Sequence, residues 1–169
     1  IGWSHSASFP VLVRARRIAQ RMYTSGEAVA PTGKTLLCKY AIYLVYSKFG
    51  KRVYVGMTTS KTVLERFKQH VEHARRIQAG TGGITGSEDQ LLHKAMARHG
   101  PENFGVMALE LTNGRGNKTA ARARLLSREK TWIQCFHSHI PHMGYNADPR
   151  RRLVRSGQPL KRPVLRPPR

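Results

Sequence analysis

Acidic residues are scarce in this chain. Nine Asp and Glu stand against 30 Lys and Arg in 169 residues, a formal net charge of +21. A polycation of this kind is a poor partner for basic or neutral surfaces and a good one for a phosphate backbone, where each neutralised phosphate releases a condensed counterion. Cysteine is nearly absent: Cys38 and Cys135 are the only two. They exclude a disulfide framework and suit a reducing compartment. Long apolar runs are lacking too, the longest being AIYLVY at 41–46. That is far below a membrane span, and no segment carries the amphipathic apolar face that insertion into an anionic membrane needs, so no membrane partner is expected.

What is present is unevenly spread. Residues 1–36 carry five basic residues and one acidic, residues 37–149 carry 17 and eight, and residues 150–169 carry eight and none. The length fits one domain with extensions. The expected division is a basic N-terminal arm (1–36), a folded domain (37–149) and a Pro/Arg-rich tail (150–169). The tail has too few large apolar groups to order itself by burial. Basic tails of this sort suit threading through folded RNA, as in ribosomal proteins. Arg150, Arg151, Arg152, Arg155, Lys161 and Arg162 are its expected nucleic-acid contacts, with Lys51, Arg52, Arg66 and His73 inside the domain. The N-terminal SASFPVLVRARRIAQRMYTSG is rich in Arg and Ser and has no acid before Glu27, the composition of a mitochondrial presequence. A basic arm lying on RNA reads equally well there.

Within 37–149, Lys39–Tyr46 and Lys51–Gly56 are β-branched and aromatic and read as a hairpin across Ser47-Lys48-Phe49-Gly50. Thr59-Ser60 offers an N-cap for a helix to about Ile77, with Val63, Leu64, Phe67, Val71, Ala74 and Ile77 as its apolar face. After the glycine-rich AGTGGITG, Ser87 offers a cap for a second helix, with Glu88 and Asp89 complementing its dipole. His99-Gly100-Pro101 ends it. Phe104–Leu111 reads as a third strand, and a third helix is expected from about Ala120 to Phe136. The order strand, strand, helix, helix, strand, helix predicts an α+β domain: a short, mostly antiparallel three-stranded sheet flanked by helices.

Three sets of residues resist a purely architectural reading. On the third helix Leu125, Leu126, Trp132, Ile133 and Phe136 define the apolar stripe, and Glu129 lies on it. A carboxylate there needs a cation, which either a neighbouring arginine or a metal ion can supply. On the first helix Arg66, His70 and His73 form a stripe beside the apolar one, which suits either phosphate or solvent. On the strands, alternation puts Ala41, Tyr43 and Val45 on one face and Arg52, Tyr54 and Gly56 on one face of the next strand. Cross-strand aromatic packing accounts for such tyrosines, and so does an active site.

Taken together these residues carry more. AIY at 41–43, ten residues, YVG at 54–56, then Arg66 and His70, Glu129 beside Trp132-Ile133, and Gly144-Tyr145-Asn146 form a series that resembles the GIY-YIG nucleases. LLHKAMARHGPENFGVMALE is similar to the helix–strand passage of the phage and intron homing enzymes in that family. The resemblance covers residues 39–148 and departs at Ala41, where the family has glycine. It implies a metal-dependent cut of a phosphodiester bond. Tyr43 and Tyr54 match the motif tyrosines, Arg66 the phosphate-binding arginine, His70 a frequent histidine, Glu129 the ligand for Mg2+ or Mn2+, and Asn146 the late asparagine.

PTGKT at 31–35 lacks the preceding glycine and strand of a phosphate-binding loop. Cys135, His137, His139 and His142 match no common zinc spacing. Two functions follow, the first preferred on the charge of both arms and the second its alternative. One is a structural RNA-binding protein of a mitochondrial ribosome, with ribosomal RNA and neighbouring ribosomal proteins as partners. The other is an active endonuclease of the homing or repair type.

Overall fold

The computed structural model describes residues 36–48, 52–81, 89–112 and 117–147, together with Val13. β1 (Ala41–Ser47) and β2 (Val53–Thr58) form the expected hairpin, and β3 (Phe104–Leu111) pairs with β1 on its other side. The sheet order is β2-β1-β3, antiparallel throughout, with a register irregularity between Ile42 and Tyr43 where β1 meets β3. β1 is therefore central and covered on both faces, which explains why its sequence is an unbroken apolar run rather than an alternation.

The two faces carry different helices. α1 (Val63–Gln78) and α2 (Gln90–His99) cover the side presented by Ala41, Tyr43, Val45 and Tyr54, with Val63, Ala74, Leu92 and Met96 packed there. α3 (Lys118–Phe136) covers the opposite side, where Leu125, Trp132 and Phe136 meet Ile42, Leu44, Val53 and Val55. Each of these large side chains contributes about 1.5–3 kcal/mol through burial. The outcome is the α+β architecture expected from the order of elements. No helix among the described residues is long and apolar enough to cross a membrane.

Helix starts depart from the simplest reading. α1 is capped by Thr62 rather than Thr59-Ser60, because Glu65 lies three residues on and closes a reciprocal capping box. Thr58 instead donates to the carbonyl of Lys61 and turns the chain into the cap. α2 begins at Gln90 with Asp89 at the cap position. The carboxylate of Asp89 makes no cap bond, since other residues claim it. Ser87 and Glu88, like Lys51, PTGKT and the tail residues Arg150, Arg151, Arg152, Arg155, Lys161 and Arg162, lie outside the described residues. α3 starts two residues earlier than expected because Asn117 accepts from the amides of Thr119 and Ala120. Leu126, expected on the buried stripe, is 39% exposed. The stripe runs through 125, 129, 132 and 136, and Leu126 falls outside its edge.

Two further devices close the domain. Gly100 turns the chain between α2 and β3 at φ 84°, a conformation that side chains other than glycine adopt at a cost. Beyond α3 the chain returns alongside β2, where Val53 bridges Gly144 in parallel and the Tyr145 amide donates to the Val53 carbonyl at 2.9 Å. This cover satisfies part of an edge strand that would otherwise present open hydrogen-bonding groups.

Candidate active site

Strand alternation turns Tyr43 and Tyr54 toward α1 and α2, their ring centroids 6.3 Å apart. Both rings are buried, so both hydroxyls need partners. The Tyr43 hydroxyl lies 2.9 Å from Nε2 of His70 on α1. The Tyr54 hydroxyl donates to Oδ1 of Asp89 at 2.6 Å. Arg66, one turn before His70, donates from Nη2 to Oδ2 of the same carboxylate at 3.0 Å and from Nη1 to Gln69 at 3.2 Å. Nδ1 of His70 meets Nε2 of His93 on α2 at 2.8 Å. Two strands and two helices thus contribute to one continuous polar cluster on the face opposite α3.

The electrostatics follow from burial. Desolvation pushes the Tyr43 phenol well above its ordinary pKa, with the Arg66 guanidinium pulling the other way. Tyr54 is raised by burial, then by the neighbouring Tyr43 and Asp89. The charge of Glu129 on α3 adds a smaller upward push to both. Burial drives His70 down to about 3, against the opposing pull of Asp89, and lowers His93 as well. Both imidazoles are neutral at neutral pH. Burial alone would lower Arg66, but Tyr43 and Asp89 outweigh it, and its charge is secure.

Arg66 also reaches outward. Its side chain is 34% exposed and lines a cleft of about 500 Å³ with Lys61, Gln69, Glu72, His73 and Arg76. The charged lining is mostly basic, with Glu72 paired to Arg76. His73 is exposed, its ring tilted against that of His93 with centroids 5.0 Å apart. Arg52 is exposed at the start of β2. His70, in contrast, is 1% exposed, so Arg66, His70 and His73 are not one solvent-facing row. His70 lies seven residues after Val63 and four before Ala74, on the helix's buried stripe.

Of the residues expected to act, Tyr43, Tyr54, Arg66 and His70 converge directly. Glu129 is half-buried on α3. A half-exposed carboxylate offers hard oxygen to an ion whose other ligands are waters and phosphate, so it fits Mg2+ or Mn2+. The neighbouring arginine of α3, Arg128, is bound to Glu110, which also accepts from Trp132 Nε1 at 2.9 Å. Asn146 uses both ends of its amide on one residue: Oδ1 accepts from the Val55 amide at 2.9 Å and Nδ2 donates to the Val55 carbonyl at 2.7 Å. It fixes β2 between Tyr54 and Gly56.

Asp89 and His93 were not among the expected site residues. Their spacing, D-x-x-x-H, puts them on one helix face, which is the signal the sequence offered. The helix-dipole explanation for Asp89 hid it.

A family model described as the GIY-YIG catalytic domain matches residues 39–146. No curated protein matches the chain, and neither does any solved structure.

Proposed function

This chain belongs to the GIY-YIG family, and we propose on that premise that it is a divalent-metal-dependent endonuclease cutting phosphodiester bonds in nucleic acid. The convergence of Tyr43, Tyr54, Arg66 and His70, with Arg66 also lining a mostly basic cleft, carries this reading.

The chain's own groups divide the work. Arg66 holds the phosphate at the cleft and offsets the charge that builds up on it, using guanidinium donors beyond the two given to Asp89 and Gln69. Tyr43 is too basic as a phenolate to be ionised at neutral pH, so it acts as a relay. It accepts a proton from the attacking water while its own hydroxyl proton passes to Nε2 of His70, whose Nδ1 proton moves on to Nε2 of His93 at 2.8 Å, so that no charge stays on the more deeply buried imidazole. Tyr54 donates to Asp89 and so helps hold the carboxylate that positions Arg66. Glu129 would hold Mg2+ or Mn2+, which supplies charge stabilisation at the phosphate and leaving oxygen.

The test is cleavage of DNA and structured RNA in Mg2+, Mn2+ and EDTA. The expected result is cleavage in either ion, none in EDTA, and a loss of about 100-fold or more on Glu129→Ala, the scale of removing one charge-stabilising group. Cleavage unchanged by Glu129→Ala overturns it.

A second reading draws on the tail, whose last twenty residues hold eight basic and no acidic residues. It makes the chain a structural RNA-binding component of a mitochondrial ribosome, contacting ribosomal RNA and neighbouring proteins. Sedimentation separates the two. Persistent co-sedimentation with organellar ribosomes in high salt, with no cleavage of any substrate, supports this reading over the nuclease.

A further inference from the structure

α1 and α2 are joined at one point by three potential ligands. Nδ1 of His70 lies 2.8 Å from Nε2 of His93 and 4.0 Å from Oδ2 of Asp89. One ligand atom from each residue falls within 4.8 Å of the others. The two imidazoles are buried and Asp89 is 15% exposed, so none of the three is a surface group that happens to be nearby.

The outer contacts resemble the support of a metal centre. A metal-bound histidine ordinarily uses its second nitrogen on a protein partner, which fixes the ring and its tautomer, and ligating carboxylates are held likewise. Here the Tyr43 hydroxyl lies 2.9 Å from the remote nitrogen of His70, and the Tyr54 hydroxyl donates to the other oxygen of Asp89 at 2.6 Å. Arg66 takes one lone pair of Oδ2, and that oxygen has a second. A direct His70–His93 hydrogen bond uses one proton between two nitrogens. An ion replaces it with two bonds after a small separation of the rings.

We propose that His70 Nδ1, His93 Nε2 and Asp89 Oδ2 form a binding site for a borderline divalent transition ion of the zinc class, separate from the hard-ion position at Glu129. Two imidazoles with one carboxylate suit zinc, cobalt or nickel and leave a fourth position for water. Magnesium prefers six oxygen ligands and does not fit. Occupancy has a chemical consequence: with Nδ1 on the ion, Nε2 of His70 carries the proton, so it faces Tyr43 as a donor and no longer as an acceptor. Binding itself does not depend on the nuclease reading.

The test uses the full chain, stripped with EDTA and titrated with Co2+ and Zn2+. The expected result is one equivalent of Co2+ with visible d–d absorption, displaced by Zn2+ and indifferent to Mg2+. His93→Gln and Asp89→Asn each remove a ligand and weaken binding by more than the roughly 10- to 100-fold that loss of an outer-shell partner costs, while His137→Gln and His142→Gln leave it unchanged. Absence of the stoichiometric band overturns the proposal, as does parental affinity in both site variants. Should either site variant fail to fold, imidazole NMR of the parent chain decides. Zn2+ must shift the His70 and His93 resonances, and shifts confined to His137, His139 and His142 refute the site. Cleavage in Mg2+ is a separate measurement, so the nuclease reading and the zinc-class site fail independently.

Discussion

The ring of Tyr43 covers Gly56, its partner across the β1–β2 ladder. A Cβ at position 56 would lie 2.7 Å from both Cζ and the hydroxyl oxygen of Tyr43, and 2.7 Å from Cε1 of Tyr54. The glycine that closes YVG is thus the floor on which both tyrosines rest. Gly56→Ala pushes both rings off their partners His70 and Asp89. It is expected to cost about 1–3 kcal/mol, as overpacking does, and to depress cleavage by the folded protein. Urea midpoints and single-turnover rates read the two effects. Unchanged values for both would contradict the packing described.

Tyr43→Phe keeps the ring and deletes the relay. Loss of general acid–base help is expected to slow cleavage about 10²- to 10⁴-fold with substrate affinity largely kept. Arg66→Lys keeps a charge and removes the fork shared between Asp89 and the cleft. An approximately 100-fold loss is expected there. Single-turnover rates against substrate concentration separate the two, because only Arg66 contributes to phosphate binding.

Asn146→Ala should act on stability. The Val55 amide and carbonyl are left without their side-chain partners at a buried site, at a cost of about 1–3 kcal/mol each where no water replaces them. Chemical denaturation gives the number, and a change under 0.5 kcal/mol would show that water substitutes freely.

Acid should unfold the domain early. His70 has its folded pKa lowered to about 3 by burial, below the unfolded value of 6.5. The unfolded state therefore binds the proton more tightly. Stability is fully present above about pH 6.5 and falls as pH drops toward 3, by about 1.4 kcal/mol for each unit traversed. The measurement is urea unfolding from pH 7 to 4 in chelator, with His70→Gln expected to flatten the slope.

Much of this was legible in the chain. The third strand, Phe104–Leu111, is found with its expected bounds because apolar composition and the flanking Pro101 and Thr112 punctuate it. Tyr43 lies on one face with Ala41 and Val45, as alternation assigns, since a period of two leaves little freedom, and the pairing register adds Tyr54 to that face. The start of α2 was not legible. Asp89 looks like a dipole-complementing acid, and only the approach of β2 and α1 shows that Tyr54 and Arg66 claim it. His70 looked like part of a surface row because helical spacing alone cannot tell a boundary position turned inward from one turned out. Both misses concern polar residues whose partners are 23 to 35 positions distant in sequence. Local pattern carries no information about such partners.

The clasp of Asn146 on Val55 has a consequence for the charge that follows it. It anchors the end of the described domain to the strand that bears Tyr54, and the chain's densest run of arginine begins four residues later, at Arg150. If the chain cuts as proposed, a phosphate backbone caught by that run would stay tethered to the strand that bears Tyr54, and its next encounter with the cleft would be intramolecular. Capture and cutting would then share one effective concentration set by a short stretch of peptide, instead of depending on repeated diffusion from bulk.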